Sequence, residues 1–122
     1  MWELVPTDKY LKASAIYEKK HPHELSAVLS NLDSYVKALN SGCNPLQISG
    51  GFIHPEPEGI VAIDQKGGKQ KIKLQQTRLY IYPQTERKLL YLITIGDKRL
   101  QGEDIKLCRA FVREIRKEEP NG

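Results

Sequence analysis

Leu25, Val28, Leu29, Leu32, Tyr35, Val36 and Leu39 recur at three- and four-residue intervals, the pattern of an amphipathic helix with a wide apolar stripe. Pro22 suits its first position, where a missing N–H costs nothing. Asn40-Ser41-Gly42 ends it, with Gly42 expected to supply a left-handed cap. A shorter helix precedes it. Thr7 can cap that helix and Asp8 falls in its first turn, while Tyr10, Ala13, Ile16 and Tyr17 share a face before the basic cluster Lys19–Lys20–His21. The break at His21–Pro22 is short, so the two helices should form an antiparallel hairpin. An apolar hairpin needs a sheet face to cover, which points to an α+β two-layer domain.

The strands of that sheet are read from period-two alternation. Trp2–Val5 is a short N-terminal strand stopped by Pro6, and Ile60–Ile63 is a second, closed by Gly67-Gly68. Between them, residues 43–59 hold prolines and glycines without periodicity and read as an ordered loop. Lys69–Leu74 alternates, with Lys69, Lys71 and Lys73 opposite Ile72 and Leu74. Arg78–Tyr82 reverses the phase, placing Arg78, Tyr80 and Tyr82 opposite Leu79 and Ile81. A phase switch implies a bulge or tight bend near Gln75–Thr77. Pro83–Lys88 reads as a hairpin loop. Leu89–Ile95 is apolar on both faces, as in a central strand covered on both sides, and Gly96 ends it. From Gly102 a last helix lines up Ile105, Cys108, Phe111, Val112 and Ile115. The whole chain, 1–122, reads as one domain with 118–122 a frayed tail.

Charge is distributed unevenly. Residues 1–65 carry a net −3, residues 66–99 a net +7, and the remainder balances, for +4 overall. A concentrated excess of this kind builds a field that attracts polyanions. Function classes drop out at the same time. No apolar run approaches the roughly 20 residues of a membrane span, and Glu3, Pro6, Asp8 and Lys9 do not fit a signal peptide. Cys43 and Cys108 have no CxxC or histidine companion, so they read as reduced thiols of a cytoplasmic protein. Phosphate-binding glycine loops, HExxH and GxSxG motifs are missing, and no cofactor or metal is expected.

What remains is a basic, tyrosine-bearing sheet: Lys69, Lys71 and Lys73, then Arg78, Tyr80 and Tyr82, then Lys98–Arg99 past the central strand. Cleaving a phosphodiester needs cations against the growing phosphate charge and a group that moves protons. Aromatic rings could stack on unpaired bases. His54, in the Pro-rich loop with Glu56 and Glu58, is a further acid–base candidate.

The run KIKLQQTRLYIYPQTERKLLYLITIGDKRLQGEDIKLCRAFV, residues 71–112, resembles the C-terminal half of the RelE/ParE/HigB superfamily of small bacterial toxins. There, a strand with an Arg-x-Tyr-like pattern leads through a hairpin to an apolar strand, a Gly-x-Lys-Arg-like turn and a helix. The resemblance implies a RelE-like fold and a type II toxin that acts as a ribosome-dependent mRNA endoribonuclease, held in check by a cognate antitoxin. Carried over by motif, Arg78, Lys98, Arg99 and Tyr80 take catalytic roles. Lys66, Lys69, Lys71, Lys73 and Tyr82 contact RNA, with Asp64, Gln65 and Lys66 an alternative occupant of the lysine strand. The expected partners are the antitoxin and mRNA on the ribosome, without membrane or small-molecule cofactor. Gln101 to Asp104 offer neither the Tyr nor the His that many active members place there. The general base therefore stays open between Tyr80, Tyr82, Lys71 and His54. A non-catalytic nucleic-acid-binding module and a ParE-like gyrase inhibitor are the alternatives.

Overall fold

Thr7 starts the first helix as its spacing predicts: its hydroxyl accepts from the Tyr10 N–H at 3.0 Å. The structure, a computed structural model, describes residues 1–67 and 73–118. Helix α1 spans Asp8–Lys20 and α2 spans Pro22–Asn40, with Pro22 in the first turn. Gly42 takes the left-handed conformation past the end of α2. Strands β1 (Glu3–Pro6), β2 (Ile53–Pro55), β3 (Val61–Asp64), β4 (Thr77–Gln84) and β5 (Leu89–Asp97) form one sheet in the order β1-β5-β4-β3-β2. Every neighbouring pair is antiparallel except β1 with β5. Helix α3 runs from Gln101 to Glu118. The architecture is α+β, with a mostly antiparallel sheet and a C-terminal helix.

The layers differ from the two read in the sequence. Val61, Ile63, Leu79, Ile81, Leu90, Leu92 and Ile95 pack with Val28, Leu32, Tyr35 and Leu39 of the helical hairpin. The alternate residues Ile60, Ala62, Tyr80, Tyr82 and Ile93 pack with Cys108 and Val112 of α3. Helices therefore cover both faces of the sheet, which is why β4 is buried along nearly all its length.

The ladder irregularity lies elsewhere than Gln75–Thr77. On β4, Tyr80 faces Thr94 while Ile81 faces Leu92, so Ile93 is an extra residue on β5. That bulge lets Leu90, Leu92 and Ile95 share a face although their parity changes. The Thr7 hydroxyl ties it down, donating to the Ile93 carbonyl at 2.7 Å. Gly96 does not end β5, which continues to Asp97. The strand expected over Lys69–Leu74 falls mostly outside the described residues, and Lys73 and Leu74 are not in a strand. The loop 43–59 contains β2 and two 3-10 turns, Pro45–Gln47 and Pro57–Gly59.

Candidate active site

Strand β2 matters because it brings His54 across from Ala62 on β3, two residues before Asp64 and on the same sheet face. The His54 Nε2 lies 2.5 Å from the Asp64 Oδ2. The Asp64 side chain is 1% exposed, and its other oxygen accepts the Lys66 N–H at 2.7 Å. Lys66 also folds its ammonium to 4.0 Å from the same carboxylate. One buried carboxylate thus orients an imidazole and a lysine together. Asp64 is in turn the ladder partner of Arg78 on β4, so the two occupy the same sheet face. The Arg78 Nη1 sits 3.8 Å from the Glu56 Oε2, both groups being about 15% exposed. Neither Arg78 Nε nor Glu56 Oε2 has a hydrogen-bond partner among the described residues.

This arrangement is held from beneath by α2. The Asn31 Nδ2 donates to the carbonyls of Asp64 and Lys66, each at 2.8 Å. Truncating Asn31→Ala removes both bonds and frees the turn that carries Asp64 and Lys66. The expected cost is about 1–2 kcal/mol of stability, measured by denaturant unfolding, with a loss of activity larger than the loss of folded protein.

An imidazole oriented by a buried carboxylate through one ring nitrogen can act as a general base through the other. A guanidinium beside it can stabilise phosphate oxygens through paired donors. Among the described residues no group of three or more His, Cys, Asp or Glu is placed to hold a metal ion, and no helix is long and apolar enough to cross a membrane.

The other residues singled out in the sequence are dispersed. Lys98 and Arg99 are exposed on the 3-10 turn Lys98–Leu100, and Arg99 reaches Asp97 at 3.4 Å. Arg78 faces Gly96 in the ladder, so Lys98 comes two residues beyond its partner. Tyr80 and Tyr82 do not present rings to solvent. Tyr80 is wholly buried under α3, and burial, reinforced by Asp104, pushes its hydroxyl well above the ordinary range. Tyr82 is also buried and stacks on Tyr91 with centroids 6.3 Å apart. Lys73 is exposed, whereas Lys69 and Lys71 lie outside the described residues. Both cysteines are free thiols, and burial pushes the Cys108 thiol up to about 12, a packing residue and not a nucleophile.

Asp104, in the first turn of α3, is by its spacing an acid at the positive end of the helix, and the structure buries it. Its carboxylate rests directly on Gly96, where any Cβ would overlap it, and its Oδ2 has no partner among the described residues. Burial pushes its pKa up to about 6, with Lys9 opposing and Asp97 and Glu103 adding to the rise. The folded chain therefore holds this proton more tightly than the unfolded chain does. The contribution of Asp104 to stability is greatest below the unfolded value of 3.8, falls as pH rises from there to about 6, and is flat beyond. Asp104→Asn should be more stable than wild type by about 1–3 kcal/mol at pH 7.5 and no more stable at pH 4. Urea unfolding at the two pH values checks this.

No protein-family model matches the sequence, and no curated protein matches it either. Among solved structures, the crystal structure of YafQ from E. coli strain BL21(DE3) aligns with a TM-score of 0.51. The alignment covers 83% of this chain and 98% of YafQ at 13% identity. At that identity the likeness is one of fold.

Proposed function

We propose that this chain, whose fold is that of the RelE-like toxins, is the toxin of a type II toxin–antitoxin pair and cuts mRNA on the ribosome. The observation that carries the nuclease reading is the His54–Asp64 pair set beside Arg78 by the β2-β3-β4 register. With Nε2 held by Asp64, Nδ1 of His54 takes the proton from the ribose 2′-OH. The 2′ oxygen attacks the adjacent phosphorus, the P–O5′ bond breaks, and the 5′ oxygen takes a proton from the Lys66 ammonium. The products are a 2′,3′-cyclic phosphate and a 5′-OH end. Arg78 stabilises the charge that grows on the non-bridging oxygens. Lys98, Arg99 and Lys73, all exposed, hold neighbouring phosphates, and Lys69 and Lys71 extend the same basic stretch in sequence. The buried Tyr80 and Tyr82 shape the sheet under α3 in this account.

A cognate antitoxin is the proposed protein partner. Leu11, Ile16 and Leu29 on the helical hairpin are large apolar side chains left exposed, the kind of surface a partner covers. Cytoplasmic location follows from the ribosomal target.

Expression in bacteria from a tightly repressed promoter tests the reading. Growth arrest with messages cut inside their coding regions is the expected result. Arrest with intact messages would shift the target to gyrase or another enzyme, and unimpaired growth with intact messages would leave a binding module.

A further inference from the structure

Helix α3 carries Arg109, Arg113 and Arg116 on one side, and all three converge on a single residue. Arg109 and Arg113 place Nη2 atoms 3.5 and 3.2 Å from the Glu58 Oε1, and Arg116 donates to the Glu58 carbonyl at 2.8 Å. Glu58 itself sits at φ 63°, a left-handed backbone that non-glycine residues seldom adopt. Partial burial pushes its carboxyl upward, but Arg113, Arg109 and Arg116 outweigh this and hold it below the usual glutamate range. One carboxylate facing three guanidiniums leaves a local positive excess, and Arg109 and Arg113 remain about half exposed. Lys117, beside them, is occupied by Glu114 at 3.2 Å. Glu56, which faces Arg78, is only two residues from Glu58. The backbone between them spans at most about 7 Å, so one short turn lays two carboxylates against two neighbouring guanidinium sites.

We infer that Arg109, Arg113 and Arg116 form a phosphate-binding site for the RNA strand flanking the scissile bond at Arg78, with Glu58 occupying it until RNA displaces the carboxylate. This rests on the nuclease reading for the identity of the strand. A phosphodiester offers the same two-oxygen face as the carboxylate.

The test is fluorescence anisotropy with a single-stranded RNA carrying 2′-O-methyl groups, which cannot be cut, over a series of salt concentrations. Each phosphate contact on a single strand contributes about 0.7 to the slope of log affinity against log salt. Arg109→Gln/Arg113→Gln should flatten the slope by roughly 0.7 to 1.4 and weaken binding about tenfold, while circular dichroism shows α3 intact. Glu58→Gln should bind more tightly than wild type. If the double variant does not fold, Arg113→Gln alone, at an exposed position, should flatten the slope by about 0.7. A folded variant with an unchanged slope overturns the site, even if the wild type cuts RNA. If the double variant flattens the slope while the wild type cuts no mRNA on translating ribosomes, the site stands and the nuclease reading is removed.

Discussion

His54→Ala is expected to slow mRNA cleavage by about 10²–10⁴-fold, the range for losing a positioned general base. Asp64 orients the imidazole through Nε2, and the other ring nitrogen is the one assigned to the 2′-OH. Removing it leaves Asp64 with the Lys66 N–H at 2.7 Å and the lysine ammonium at 4.0 Å. The buried carboxylate is therefore not stranded, and the fold should survive with a stability loss of no more than about 1–2 kcal/mol. Activity and stability separate in this variant. A rate loss in proportion to unfolded protein would show that His54 only packs.

Arg78→Ala should damage both. Its guanidinium is 15% exposed and is the cation that faces Glu56. Truncation leaves that carboxylate buried without its counter-charge, at a cost of about 1–3 kcal/mol. The same change removes the donor assigned to the phosphate, worth about 10²–10³ in rate. Arg78→Ala/Glu56→Gln separates the two roles: stability should recover substantially in the double variant, and cleavage should not. Thermal unfolding and single-turnover cleavage on the same preparations give both numbers.

The helices were legible because each buries one face over many turns. The stripe from Leu25 to Leu39 and the series Ile105, Cys108, Val112 appear on inspection and match what is packed, except that Leu29, like Ile16 of the shorter helix, stays exposed. Arg78, Tyr80 and Tyr82 were placed on one face of their strand, as found. Alternation could not say which helix covers that face, and α3 buries both tyrosines. The site was less legible still. His54 meets Asp64 only because β2 exists, and β2 is three residues, Ile53–Pro55, amid glycines and prolines. Three residues are too few for alternation to register, so the acid–base pair had no periodic signal. The bulge at Ile93 was hidden because both faces of β5 are apolar there. Asp104 looked like an ordinary first-turn acid, and its contact with Gly96 depends on how α3 turns back over β5.

The most direct measurement adds purified protein to ribosomes translating a defined mRNA and maps the cut ends. The account predicts cuts within the coding region that leave 2′,3′-cyclic phosphate and 5′-OH ends, produced at least about a hundredfold more slowly by His54→Ala. Intact mRNA from the folded wild-type protein, or equal cutting by the folded His54→Ala variant, would contradict it.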